Sequence, residues 1–226
     1  MRVVSFDIGI KNLAFCDVSR IQRDTNDCVS YMIHDWQVLD ISIGEKKHDI
    51  NRVIEIILAK LDVLFSSELG LYDAILIENQ PVLKNPVMKS IQMIIFTYFH
   101  VLRQNRQIRQ KMKQGDEENT DSSSSFRTSL FSIHLISASN KCKTIRQLSN
   151  ERAKEIEENT EMKAKAKKGY KFNKKMAHNL TMAFLDSRIV NKEEMFHAYE
   201  TYQTHKKKDD LADSFLQAAY FLGQHK

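Results

Sequence analysis

Two prolines and six glycines in 226 residues are few for a chain that turns back on itself often. Their scarcity argues against an all-β fold of many tight turns and against glycine loops that cradle phosphates. Only three cysteines occur, Cys16, Cys28 and Cys142, far apart and with no CxxC pair. That leaves neither a zinc ribbon nor a disulfide framework, and a reducing compartment is the expectation. No apolar run approaches the roughly 18 residues that a membrane helix needs. Met1-Arg2 leads directly into a strand-like run, so neither a signal peptide nor a transit peptide is expected in this form. The histidines lack HxxxH spacing, and Ser122 to Ser125 belong to a low-complexity stretch rather than a nucleophile motif.

Hydrophobic residues make up 42% of the chain, enough for one core. We expect a single domain over 1–226 with insertions at about 114–128, which is low complexity, and 150–170, a polar basic arm. Residues 2–8 (RVVSFDI), 13–18, 31–42, 73–79 (DAILIEN) and 129–138 read as strands, with Gly9 to Asn12 as a tight turn. Apolar spacing predicts helices over 48–67, 87–112, 174–186 and 209–224. Three hairpin-joined strands followed by alternating helices and strands predict an α/β fold: a mixed five-stranded sheet with helices on both faces.

Four carboxylates stand in apolar surroundings. Asp7 and Glu78 each end a hydrophobic strand, while Asp210 and Asp213 lie three apart on one apolar helix. Residues at that spacing share a helix face, and open α/β sheets gather ligands beyond their strand ends. A cluster of such groups repels itself unless a cation is bound, and hard oxygen ligands suit Mg2+ or Mn2+. Two ions about 3.5–4 Å apart can activate water and stabilise the leaving oxygen of a phosphodiester. A strand-end Asp alone is often a turn former, and a lone DxxD is most often solvated surface. The four occurring together, Asp7 with Gly9 and Asn12, Glu78 with Gln80-Pro81, and KKDDLADSF, favour the metal site. Asp209 is the ambiguous neighbour, able instead to cap the helix N-terminus. His178, one turn from Lys174, is a weaker site candidate.

Charge is unevenly spread. The chain carries formal net charge +5, but between Lys141 and Lys175 twelve Lys or Arg stand against five Glu, a local excess of +7. This stretch includes Lys141, Lys143, Lys167, Lys168, Lys171, Lys174 and Lys175, with Tyr170 and Phe172 inside it, and Lys206, Lys207 and Lys208 precede the acidic helix. Cations that meet phosphates supply non-specific DNA affinity, and aromatic rings stack on unpaired bases. A solvated polar helix is the bland alternative. Position favours DNA, because the run leads into a helix predicted to border the acidic site. Arg103 to Lys113 is a second basic stretch with a weaker claim.

FDIGIKNLAF, IENQP followed by KNPVMKSIQ, YKFNKKMAHNLTMAFL and KKDDLADSFLQA occur in this order across nearly the whole chain. Together they resemble the Holliday junction resolvases of the poxvirus type and their mitochondrial and RuvC relatives. The resemblance implies an RNase H-like (retroviral-integrase-like) fold, a homodimer, and Mg2+-dependent symmetrical nicking of four-way DNA junctions. It carries the metal-ligand role to Asp7, Glu78, Asp210 and Asp213, with two ions per site. It also implies a catalytic Lys at the start of the penultimate helix. Lys174 and Lys175 both stand there; Lys174 is preferred because Ala177, Leu180 and Phe184 continue its face. Lys11 and Asn12 join Lys141, Lys143, Lys167, Lys168, Tyr170, Lys171, Phe172, Lys206 and Lys207 as expected DNA contacts. The implied home is intracellular: a viral replication compartment in host cytoplasm if the chain is viral, mitochondrial or nuclear otherwise. Three rivals remain: an RNase H-like nuclease of hybrids or other branched DNA, a non-cleaving junction-binding protein, and a DxG-type ATPase. The last is disfavoured by the short length and the missing glycine loops.

Overall fold

A computed structural model describes residues 1–21, 30–42, 49–67, 69–83, 85–115, 130–137, 170–187 and 196–225, with backbone alone at 69, 113–115, 170–173, 187 and 196–198. Strands β1 (Arg2–Asp7), β2 (Leu13–Ile21) and β3 (Ser30–Leu39) form an antiparallel meander. The chain then crosses through helix α1 (Ile50–Phe65) to β4 (Ala74–Asn79), which pairs parallel with β1. Helix α2 (Pro86–Gly115) leads to β5 (Ser132–Ser137), parallel to β4. The sheet order is β3-β2-β1-β4-β5. Helices α3 (Tyr170–Ser187), α4 (Phe196–Thr204) and α5 (Lys208–Gln224) follow.

Side chains alternate across a strand, so each strand feeds two cores. Val4, Phe6, Ile75 and Ile77 point to one face, where α1 packs with Val53, Ile57, Leu61 and Phe65 and α2 with Ile91, Ile95 and Phe99. Phe6 and Phe65 meet there nearly edge to face, at 5.6 Å and 69°. Val3, Ala74 and Leu76 point to the other face and meet Ala177, Phe184 and Leu185 of α3 and Leu211, Phe215 and Leu222 of α5. Each fully buried Phe or Leu contributes about 1.5–3 kcal/mol. The expected helix-covered mixed sheet is therefore present, with helices on both faces.

Local signals explain the element ends. Asp49 caps α1 by accepting from the Asn51 N–H at 3.0 Å. Asn85 Oδ1 accepts from the Met88 N–H at 3.3 Å, and Pro86 takes the first helical position of α2, where its missing N–H is harmless. Three differences from the predicted elements stand out. β2 runs on to Ile21, α3 begins at Tyr170 rather than 174, and α4 was not anticipated. The sequence of α4, FHAYETYQT, has little apolar periodicity; its anchor is the buried Tyr202, a contact no local pattern reveals. The expected low-complexity insertion beyond Gly115 and nearly all of the expected basic arm lie outside the described residues. Among the described residues, no helix is long and apolar enough to cross a membrane.

At the end of the sheet where β1 begins, Asp17 is buried and paired. Arg2 Nε and Nη2 donate to its two oxygens at 2.9 and 2.5 Å, and the Tyr72 hydroxyl donates at 3.0 Å. Removing one partner of a buried pair leaves the other charge uncompensated. Arg2→Ala is expected to destabilise the fold by about 3 kcal/mol in urea unfolding. Tyr72→Phe, which removes a single hydrogen bond, is expected to cost about 1 kcal/mol.

Candidate active site

β1 and β4 run parallel with Phe6 opposite Ile77, so the next residues, Asp7 and Glu78, end neighbouring strands side by side. Alternation from Val3 and Ala74 turns both carboxylates to the face covered by α3 and α5. Each is only 7% exposed. Beyond Asp7 the chain turns sharply at Gly9. A Cβ there would stand 2.5 Å from the Asn12 carbonyl oxygen, so the turn requires glycine. The IENQP segment holds Glu78 in place: Gln80 Nε2 donates to Glu78 Oε2 at 2.6 Å, and the Ile8 N–H approaches the same oxygen at 3.4 Å. Gln92, buried on α2, accepts from the Gln80 N–H at 2.8 Å and from Lys89 Nζ at 3.0 Å. Gln80 and Gln92 are supports that sequence reasoning passed over. Gln92 follows Lys89 and Ser90 in the first turns of α2, so no local signal singled it out.

The other two carboxylates ride on α5, whose N-cap, Lys207, makes no side-chain capping bond. Asp209 and Asp210 both lie in its first turn, so Asp209 is inside the helix rather than at the cap. Asp209 pairs instead with Lys174 of α3. Burial works against its charge, yet the Lys174 bond and its own backbone N–H keep its carboxyl below the ordinary range. Asp210 is in the opposite condition. Its Oδ2 is buried with no hydrogen-bond partner among the described residues. Burial first, then the neighbouring charge of Asp209, push its carboxyl up to about 6. Asp213, one turn on, adds to the repulsion. Lys175, the alternative to Lys174, is exposed.

Three aromatic groups fix α5 over the sheet. Trp36 of β3 donates its indole N–H to the Leu211 carbonyl at 3.0 Å. Its ring stacks on Tyr202 of α4 at 5.0 Å and 5°. The Tyr202 hydroxyl in turn meets His178 Nδ1 of α3 at 2.8 Å. Burial, then the charge of Lys208, lowers the His178 pKa. His178 thus holds a scaffold tyrosine near the site.

The four carboxylates therefore form two pairs on one side of the sheet, Asp7 with Glu78 on the strands and Asp210 with Asp213 on the helix. Among the described residues, no three His, Cys, Asp or Glu side chains stand close enough to hold a metal ion. The donor set still fits a hard divalent cation: the candidate ligands are all carboxylates, and Asp210 presents a buried oxygen without a hydrogen-bond partner, its charge only partly offset by Lys207 and Lys174. Of the expected DNA contacts, Lys11 is exposed and Asn12 half-buried on the turn after Asp7, and Lys206 and Lys207 are exposed just before α5. Tyr170, Lys171 and Phe172 form the first turn of α3. Lys141, Lys143, Lys167 and Lys168 lie outside the described residues.

No protein family matches the chain, and no curated protein matches it in sequence. Solved structures do. The yeast mitochondrial Holliday junction resolvase Ydc2 superposes with a TM-score of 0.57 at 18% identity, over 98% of this chain and 78% of that one. Thermus thermophilus RuvC superposes with a TM-score of 0.52 at 10% identity, over 99% and 96%. The fold is the RNase H-like fold of RuvC. A fowlpox virus resolvase, solved with its substrate Holliday junction DNA, gives a TM-score of 0.46 at 16% identity over all of both chains. The likenesses to Ydc2 and RuvC show the fold, and they do not single out the poxvirus type.

The raised Asp210 pKa sets a pH dependence. Its folded value, about 6, lies above the unfolded value near 3.9, so the folded state binds the proton more tightly. That contribution is complete below pH ~4 and is lost as pH rises through about 6. Asp210→Asn is therefore expected to raise the thermal midpoint of the metal-free protein at pH 8, with the gain vanishing by pH 4. Differential scanning calorimetry across that range checks it. An unchanged gain at pH 4 would mean that Asp210 is not the group responsible.

Proposed function

We propose that this chain is a structure-selective endodeoxyribonuclease that resolves four-way DNA junctions by metal-assisted phosphodiester hydrolysis. The observation that carries the reading is the placement of two strand-end carboxylates and two helix carboxylates on one face of an RNase H-like sheet, one of them with a buried oxygen that has no hydrogen-bond partner. A protein that only bound DNA would gain nothing from setting repelling carboxylates where phosphates must approach. The fold likeness to proteins described as Holliday junction resolvases agrees with the proposal. So does the T. thermophilus RuvC structure solved with Holliday junction substrate, similar in fold at a TM-score of 0.50 and 9% identity.

Asp7, Glu78, Asp210 and Asp213 would hold the ions. When bound, Mg2+ or Mn2+ supplies Lewis acidity and lowers the pKa of water. Lys174 would set its ammonium against the scissile phosphate, stabilising charge that grows in the transition state; Lys175 is the alternative for that task. Lys11, Asn12, Lys206, Lys207 and the basic run Lys141 to Lys171 would grip the DNA backbone, with Tyr170 and Phe172 stacking on bases opened at the crossover. A homodimer of this single-domain chain would match the two-fold symmetry of a junction and nick opposite strands.

The test is cleavage of a labelled synthetic four-way junction in Mg2+, beside duplex, fork and RNA–DNA hybrid. Paired symmetrical nicks in the junction are expected. Asp7→Asn and Glu78→Gln should each lower the rate at least about a hundredfold while junction binding persists. Efficient hybrid cutting with junctions spared would replace this reading with an RNase H-type enzyme. Tight binding without cutting would leave a junction-binding protein.

A further inference from the structure

Asp209 has no part in the two carboxylate pairs, yet it is the residue that meets Lys174. Successive residues on a helix point about 100° apart, so Asp209 and Asp210 cannot serve the same point. Asp210 keeps a buried, unpartnered oxygen, while Asp209 turns to α3 and spans the first turn of α5 and the start of α3. Its carboxylate is itself anchored. It bonds its own backbone N–H and sits at the positive end of the helix.

Lys174 needs such an anchor. A lysine ammonium rides on a flexible four-carbon stem and is a point charge without a fixed direction. The Lys174 side chain is 37% exposed and Asp209 is 23% exposed, so the pair sits at the rim of the site rather than in the core. A rim pair adds little to folding stability. What it does add is a location for the cation, one residue from Asp210. Lys175, on the next position of α3, is exposed.

Building on the nuclease reading above, we propose that Asp209 is a positioning residue, which fixes the Lys174 ammonium beside the phosphate to be cut. The experiment is a double-mutant cycle on Mg2+-dependent junction cleavage, with Asp209→Asn, Lys174→Ala and the pair, reading kcat, KM and junction Kd separately. Asp209→Asn is expected to lower kcat about tenfold with KM, Kd and the thermal midpoint little changed. Asp209→Glu should restore part of the loss, and Asp209→Asn should add nothing once Lys174 is alanine.

Wild-type kcat in Asp209→Asn would overturn the proposal and make the pair a surface contact. Tighter junction binding at unchanged kcat would overturn it too, making Asp209 a charge that repels the substrate. Losses that multiply in the double variant would show that Asp209 does not act through Lys174. Each of these sinks this inference alone, since the wild type still cuts and Asp7→Asn does not. A wild type that cuts no junction would sink the nuclease reading, and this one with it.

Discussion

Because β1 and β4 run parallel with Phe6 opposite Ile77, two carboxylates from distant parts of the chain end their strands at the same height and on the same face. Parallel strands need a crossover between them, and α1 supplies it on the opposite face, where Val53, Ile57 and Leu61 cover Phe6 and Ile77. The face that carries Asp7 and Glu78 is thus left for the C-terminal helices. A slip of one residue in that register would turn one carboxylate into the aromatic core around Phe6 and Phe99. The same contacts that make the core also decide where the acids stand.

The second carboxylate pair depends on longer-range contacts. α5 is buried along most of its length, and hydrophobic burial alone would let it slide along the sheet. The Trp36 indole bond to the Leu211 carbonyl is directional, and it sets the height of α5 one residue from Asp210. Tyr202, stacked on Trp36 and bonded to His178, carries that setting to α3 and so to Lys174. Strand, connecting helix and both flanking helices are therefore coupled through one aromatic contact.

How far this was legible in the sequence follows from the range of each interaction. Strand and helix periodicity is local, and the five strands and the helices carrying Asp210 and Lys174 were readable to within a few residues. The turn at Gly9 was readable because a backbone approach of 2.5 Å admits only glycine. Helix α4 was not, since Tyr202 is held by a ring from β3, far away in the chain. Asp209 was open between a site acid in place of Asp210 and a helix cap. Its partner on α3 appears only when α3 and α5 lie side by side. The role of Gln92 was not readable either, because its bond from the Gln80 N–H forms only when α2 folds back against the end of β4.

The electrostatics of the site run against the economy of the rest of the fold. At the opposite end of the sheet, buried Asp17 is satisfied by Arg2 and Tyr72, as burial of a charge requires. Asp210 is less well provided: one oxygen is unpartnered, and the charges of Lys207 and Lys174 do not outweigh burial together with Asp209 and Asp213. A chain selected only for stability would place Asn or Leu there, because a carboxylate with an unpartnered buried oxygen does not favour folding. Lys174 lies close enough to Asp210 to relieve it, but its bond goes to Asp209. The first turn of α5 therefore keeps Lys174 bonded to Asp209 beside a carboxylate whose charge it and Lys207 only partly offset. On the proposed reading, that leaves Asp210 available to a positive ion and Lys174 to a phosphate, since full neutralisation of either by the other would serve neither task.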